Sequence, residues 1–368
     1  MTRVLAFGTY NVRKHPRVGI IIDGLRKNGV QVAEVNRPLE LSTAQRVEVL
    51  KKPWKLFGFA LGILRLWHGI SADAKTWVRE HGVPDAVLVG YLGHFDVLLA
   101  RRLFRGVPIV LDHLIYAADT AKDRGAKGLK VRLLEKLDKW ALGSADLVLF
   151  DTREHQDMLP ADFAGQSMVV PVGAPEAWYQ AGVAQREHPV ENDVVFYGLY
   201  TPLQGTPIIA QAFSILHRNG CHFHATMIGT GQDYDEVRSL LAGVNEVEFV
   251  DWVEPEELPQ VVARHAVSLG IFSTTPKGLR VVPNKVYQAL AAGCAVVTSD
   301  TAPQRRELGE GAILVEPGNA EALAEALQDL LTDRKALQQA RKRASEAGAR
   351  FTDRRIAEEL SAWIAEQR

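Results

Sequence analysis

The chain has 368 residues, 47% of them apolar and 24% charged, which suits two folded domains and excludes a disordered chain or a multispan membrane protein. With 43 Lys plus Arg against 44 Asp plus Glu, the formal charge is −1, so there is no global attraction for nucleic acid or an anionic surface. Two cysteines, Cys221 and Cys294, are too few for a disulfide framework and lack metal-ligand spacing, as expected in a reducing cytoplasm.

In chain order, the opening run Met1–Gly8 reads as a buried strand, Val4–Phe7, rather than a cleavable leader. Further strands are expected at Val30–Val35, Ala86–Val89, Pro108–Leu111 and Leu147–Phe150. Helical segments lie between them, at Val18–Asn28, Phe95–Leu103 and Lys130–Leu142. Unbroken apolar strands separated by amphipathic helices mean parallel sheets covered on both faces. Residues 173–191 carry Gly173, Pro175, Gly182 and Pro189 without clean periodicity and are the linker candidate. The pattern then restarts, with strands at Asp193–Tyr197, Phe223–Ile228, Val247–Phe249, Val267–Ile271, Ala295–Thr298 and Ala312–Val315. The end is helical, at Ala320–Leu331, Arg334–Gly348 and Arg354–Glu366. The resulting division is 1–172, a linker 173–191, 192–350, and a terminal helix in 351–368.

Lys51–His68 departs from this rhythm. It holds Trp54, Phe57, Phe59, Ile63, Leu64 and Trp67 beside Lys51, Lys52, Lys55 and Arg65, with no acidic residue. Its apolar run is far below the ~20 residues that cross a bilayer. A short helix of this composition suits the surface of an anionic membrane, and it equally suits a helix that covers its own sheet.

Five motifs follow one another in the second half. They are Phe196-Tyr-Gly198-Leu-Tyr-Thr-Pro-Leu-Gln-Gly205, Ala225-Thr-Met-Ile-Gly-Thr-Gly231, Val247-Glu-Phe-Val-Asp-Trp-Val253, Val282-Pro-Asn-Lys-Val-Tyr-Gln-Ala-Leu-Ala-Ala-Gly293 and Ala295-Val-Val-Thr-Ser-Asp300. The first half adds Phe7-Gly-Thr-Tyr10, Pro108-Ile-Val-Leu-Asp-His113 and Ser144-Ala-Asp-Leu-Val-Leu-Phe-Asp-Thr152. In this order and spacing the chain resembles retaining glycosyltransferases of the family-4 type (glycosyltransferase group 1). The resemblance implies a GT-B fold: two Rossmann-like doubly wound α/β domains facing across a cleft, with the last helix crossing back to the first. It implies a nucleotide diphosphate sugar as donor, bound by the second domain, and a hydroxyl acceptor bound by the first, with no required metal or other cofactor. Lipid-linked acceptors and cell-surface glycan precursors are the acceptor classes considered, with action in the cytoplasm at the inner face of a membrane.

Strand-to-helix turns expose backbone amides, so Gly8, Gly198, Gly229, Gly231 and Gly293 are places where a phosphate or ribose can approach the main chain. Pro283-Asn284 begins a helix whose free N–H groups suit a diphosphate, and Lys285 adds a full charge. By resemblance, Trp252 and Val253 flank the nucleobase, and Gln288 occupies the place of the Glu that holds the ribose. The resemblance makes His113 the group that holds or polarises the transferred sugar. Arg17, His94 and Asp119 are further candidates in the first domain, with capping or core roles as the alternative. Several positions depart from the family pattern. Leu199 and Gln204 replace an Arg and a Lys that bind phosphate, and the family's Glu-x7-Glu becomes Arg280 and Gln288. Lys277, Arg280 and Lys285 then suggest that the positive charge has moved to the other wall of the pocket.

Asp233-Tyr-Asp235 and His222-Phe-His224 have the residue types of metal ligands but are read as a helix cap and a surface strand. A noncatalytic partner of another glycosyltransferase and a sugar phosphorylase or epimerase on the same fold remain as alternatives.

Overall fold

Short β-branched runs prefer extended backbone, and here they pair side by side as two parallel sheets of six strands each. The computed structural model describes residues 2–13, 15–39, 53–91, 93–123, 125–185 and 192–367, excepting the side chains of 53–57, 59, 60, 123 and 192. The chain divides into a first unit, Met1–Val170 with Ala357–Arg368, and a second, Pro171–Ile356.

The first unit contains β1 (Arg3–Gly8), β2 (Gln31–Asn36), β3 (Ala86–Val89), β4 (Ile109–Asp112), β5 (Leu147–Phe150) and β6 (Gln166–Val169), in the order β2-β1-β3-β4-β5-β6. Strands β3, β4 and β5 are buried throughout, as both-face coverage requires. The helices α1 (Arg17–Lys27), α2 (Pro53–His81), α3 (Asp96–Leu103) and α4 (Leu129–Leu142) accompany them. One continuous core joins Leu5, Phe7, Val87, Ile109 and Val148 to Ile70 and Ala74 of α2 and to Ala141 and Leu142 of α4. Two sequence expectations change here. The helix expected within 51–68 runs from Pro53 to His81, because Ile70, Ala74, Trp77 and Val78 continue its apolar stripe onto the sheet. Strand β6 was not foreseen, since Gln166 and Ser167 give it no apolar run; parallel pairing with β5 forms it.

The second unit contains β7 (Asn192–Tyr197), β8 (Ala225–Ile228), β9 (Val247–Val250), β10 (His265–Leu269), β11 (Ala295–Ser299) and β12 (Ile313–Val315), in the order β12-β11-β10-β7-β8-β9. Its main helices are α5 (Glu176–Gln185), α6 (Thr206–Arg218), α7 (Asn284–Ala292), α8 (Ala320–Thr332) and α9 (Arg334–Gly348). Ile209, Phe213 and Leu216 of α6 share a core with Leu323 and Leu327 of α8 over β7, β8 and β10. The expected linker 173–191 is corrected. Its described part folds as α5, buries Trp178 and Ala181, and packs on α7. Gly182 is not loop punctuation there: a Cβ on it would lie 2.5 Å from the Ala291 carbonyl, so it permits helix-to-helix contact.

The terminal helix Glu358–Glu366 belongs to the first unit, as expected, and that unit resumes at Ala357 rather than at 351. The helix packs on α1, and the Trp363 indole donates to the Gln166 side chain of β6.

Candidate functional site

In each sheet the strand order reverses beside the first strand, between β7 and β10 in the second unit and between β1 and β3 in the first. Connections leave such a point in opposite directions and open a crevice at the carboxyl ends of the strands. In the second unit Gly198 stands there at the end of β7, with φ +140°, and a Cβ on it would lie 3.0 Å from Lys285 Nζ. Glycine therefore leaves the space that the lysine uses. Lys285 comes from the first turn of α7, is 6% exposed, and sets its Nζ 3.7 Å from the centroid of Phe196. Tyr197 Oη donates to the Lys285 carbonyl at 2.9 Å and fixes the start of the helix on β7.

Among the described residues Lys285 Nζ has no hydrogen-bond partner, and burial holds the ammonium well below its ordinary range. A cation over an aromatic face recovers only about 0.5 to 2 kcal/mol. A buried charge without a counterion is expensive, and an anion at the end of β7 is its natural complement. Phe196 and Tyr197 are the residues that sequence reasoning missed here. The signal available was two aromatics immediately before Gly198.

The other expected donor residues occupy different settings. Asn284 and Gln288 are partly exposed and lie one turn apart on one face of α7, beside Lys285. Arg280 sits on the single turn Gly278–Arg280, which is held by Thr275 Oγ1 accepting from Gly278 N–H and by Ser273 Oγ accepting from Thr275 N–H. Trp252 is 67% exposed, and its indole donates to Glu254 at 3.1 Å. With Val253 it follows β9, two strands away from β7. Leu199 is exposed beside Gly198.

Gly229 is also constrained by packing. It has φ +116°, and any Cβ would overlap the Gly198 carbonyl. Its small size serves the packing of one strand end on the next. Gly229→Ala is expected to cost about 2 to 3 kcal/mol. The check is a lower urea midpoint with an unchanged slope.

In the first unit Gly8 ends β1 with φ +145°, and a Cβ there would lie 2.9 Å from Asp96 Oδ2. That oxygen accepts Thr9 N–H at 2.7 Å and Thr9 Oγ1–H at 2.8 Å, while Oδ1 accepts Trp67 Nε1–H at 2.9 Å. Burial raises the Asp96 carboxyl, and the Trp67 and Thr9 hydrogen bonds oppose the shift. Asp96 thus fixes the turn after β1, a role the sequence did not reveal. Trp67, expected at a membrane surface, turns inward instead.

His113 follows β4 and is 2% exposed, its ring edge-on to Tyr116 at 4.6 Å and to Phe150 at 5.9 Å. Burial, with His94 and His155 nearby, holds its imidazolium well below the usual range, so the ring is neutral. His94 Nε2 lies 3.0 Å from Asp138 Oδ1. Arg17, considered as an anchor for an anionic acceptor, is a structural residue. It is 1% exposed, its Nε donates to Asp112 Oδ1 at 2.7 Å, and its Nη1 donates to the Val170 carbonyl at 2.8 Å.

Among the described residues, His94, His113 and Asp138 form the single group of three potential metal ligands. Neither Asp233–Asp235 nor His222–His224 gathers a third. Asp233 stands at the N-cap position of the helix Tyr234–Leu240, where its side chain makes no capping bond.

Two doubly wound units with these strand orders define the GT-B fold, and solved structures bear this out. Sucrose-phosphate synthase from Thermosynechococcus elongatus is similar at 16% identity and TM-score 0.71, over 100% of this chain and 99% of that one. HepE of Anabaena, solved with UDP, is similar at 16% identity and TM-score 0.65, over 100% of both chains. The UDP-forming trehalose-phosphate synthase from Burkholderia vietnamiensis is similar at 15% identity and TM-score 0.67, over 100% of this chain and 98% of that one. At such identities the likeness is one of fold. Residues 191–333 match the family described as Glycosyl transferases group 1. That match lies within the second unit and agrees with the motif order. No curated protein matches the chain in sequence.

Proposed function

We propose that the protein is a retaining glycosyltransferase that moves a sugar, a hexose by resemblance, from a nucleotide diphosphate sugar to an acceptor hydroxyl. The observation that carries this reading is Lys285, a buried amine with no hydrogen-bond partner among the described residues, set against Gly198 at the end of β7. The family match over residues 191–333 and the HepE structures with UDP and UDP-glucose support a nucleotide donor. Lys285 and the N-terminus of α7 take the diphosphate, Arg280 adds charge from the neighbouring turn, and Asn284 and Gln288 face the ribose. Trp252 and Val253 lie beside the base. Positive charge on this wall replaces the cations absent at Leu199 and Gln204.

Retaining transfer builds cationic character on the sugar and negative charge on the leaving diphosphate, so catalysis rests on groups placed to stabilise both. His113, neutral, acts by hydrogen bonding to the sugar and not as a nucleophile. The transfer itself needs no metal, and no nucleic acid takes part. Titration calorimetry with nucleoside diphosphates and their sugars tests the reading, followed by NMR of the anomer released. Binding of one nucleoside diphosphate and release of the donor's own anomer are expected; absence of binding across the set would overturn it.

The acceptor is lipid-linked in this reading, and the protein works at the cytoplasmic face of a membrane. Among the described residues no helix is long and apolar enough to cross one. Support for surface contact comes from α2, where Leu61, Leu64, Arg65 and His68 are exposed along one face. Lys51 and Lys52 lie outside the described residues. The wild type is expected to float with anionic vesicles and a Leu61→Glu/Leu64→Glu variant to remain below. Wild-type protein that stays at the bottom of the gradient would remove the membrane contact.

A further inference from the structure

One group of side chains in the first unit is left incomplete by its own surroundings. His94, His113 and Asp138 are 6%, 2% and 4% exposed, and one ligand atom of each lies within 4.8 Å of the other two. The two imidazole rings are tilted toward each other with centroids 4.9 Å apart. His94 Nε2 stands 3.0 Å from Asp138 Oδ1, yet neither it nor His113 Nε2 makes a hydrogen bond among the described residues. The carboxylate is already held in place, because Oδ1 accepts Ala117 N–H at 2.9 Å and Oδ2 accepts Ala118 N–H at 3.0 Å. A buried polar atom without a partner costs about 1 to 3 kcal/mol. His113 Nε2 has no partner among the described residues, His94 Nε2 faces the fixed carboxylate without a hydrogen bond, and one ion would serve all three groups.

We propose that His94 Nε2, His113 Nε2 and a carboxylate oxygen of Asp138 bind a divalent transition ion of the zinc class. Two imidazoles and one carboxylate form a donor set that zinc takes with three protein ligands and a fourth position open to water. Magnesium and calcium prefer all-oxygen sites, and thiolate is absent from the group. Ligand atoms bound at about 2.0 to 2.2 Å from one ion sit about 3 to 3.5 Å apart. The His94 and Asp138 atoms already have that separation, and binding requires His113 to close the third side from within 4.8 Å. The Ala117 and Ala118 amides are the outer partners that orient the carboxylate.

The test uses the full chain stripped with a chelator and titrated with Zn²⁺ alone, and separately with Co²⁺, in the absence of nucleotide. The wild type is expected to bind about one ion and to give the visible absorption of four-coordinate Co²⁺. His94→Gln and His113→Gln should each weaken binding on the order of 100-fold. Circular dichroism checks their fold. A His222→Ala/His224→Ala variant should bind as the wild type does. Lack of saturable binding by the wild type would overturn the proposal whatever the variants do. So would binding lost only in the His222→Ala/His224→Ala variant. Neither of those results touches the transferase reading, which is decided by nucleoside diphosphate titration of the stripped protein.

Discussion

Lys285→Met is expected to weaken nucleoside diphosphate binding by about 10- to 100-fold and, at the same time, to make the protein more stable. Each charge-assisted hydrogen bond to phosphate contributes about 1.5 to 3 kcal/mol, which sets the loss of affinity. The gain in stability has the same cause seen from the free protein. Lys285 Nζ is buried over Phe196 with no partner among the described residues, and folding must either desolvate its charge or strip its proton, so an apolar side chain of similar length removes that cost. A rise of about 1 to 3 kcal/mol corresponds to a Tm higher by roughly 2 to 4 °C per kcal/mol. A purely structural lysine would lose stability on the same change. Opposite signs in calorimetric affinity and in Tm identify a residue kept for its ligand.

The sign of the pH effect follows from the depressed Lys285 ammonium. An unfolded chain carries lysine near pH 10.4, so between the lowered folded value and that pH the unfolded state holds more protons. Stability therefore rises with pH across this window, and below it the full cost of the buried charge is present. Diphosphate binding shows the opposite slope. The bound anion restores the ammonium, so binding takes up a proton and affinity falls as pH rises above the free-protein value. Calorimetry in buffers with different ionisation heats reads that proton uptake. A Lys285→Met variant that binds as tightly as wild type would remove Lys285 from the donor site.

The largest loss of stability is expected from Arg17→Met. The change strands Asp112, which burial already pushes upward and which Arg17 alone holds down through a 2.7 Å contact. It also leaves the Val170 carbonyl without its donor. Breaking one side of a buried ion pair costs about 3 to 5 kcal/mol, or roughly 10 °C in the Tm of this unit. The double variant Arg17→Met/Asp112→Leu should recover most of that loss, since neither charge then needs a partner. Arg17→Lys should not, because one ammonium cannot reproduce the fork that spans Asp112 and Val170. The measurement is denaturant unfolding of the three variants, read on the transition of the first unit, which two-domain chains can show separately. A single variant as stable as the double one would show that the pair carries no coupling.

These residues also show where legibility stopped. Continuous apolar runs such as Ala86–Val89 and Leu147–Phe150 were readable as buried strands to the residue, because coverage on both faces leaves no polar position. Strand β6 was not readable, because an edge strand with Gln166 and Ser167 at its start is made by its neighbour. Gly182 looked like part of a linker, since sequence shows that a small residue is present but not what approaches it. Arg17 looked available for an anion until the fold brought Asp112 and Val170, far away in the chain, to its guanidinium.

The sequence by itself determined two doubly wound α/β units, the return of the last helix to the first unit, and a glycosyltransferase group 1 signature in the second. The two units follow from periodicity and strand-end glycines and the signature from motif order, which are local or additive along the chain, while the return of the last helix is what the family resemblance implies. Only the tertiary structure decided that Lys285 lies buried with no partner among the described residues, that Gly229 serves strand packing, and that Trp67 meets Asp96. It alone brought His94, His113 and Asp138 together. Charge state and orientation depend on burial and on partners from other strands and helices, and no periodicity encodes which side chains the fold makes neighbours.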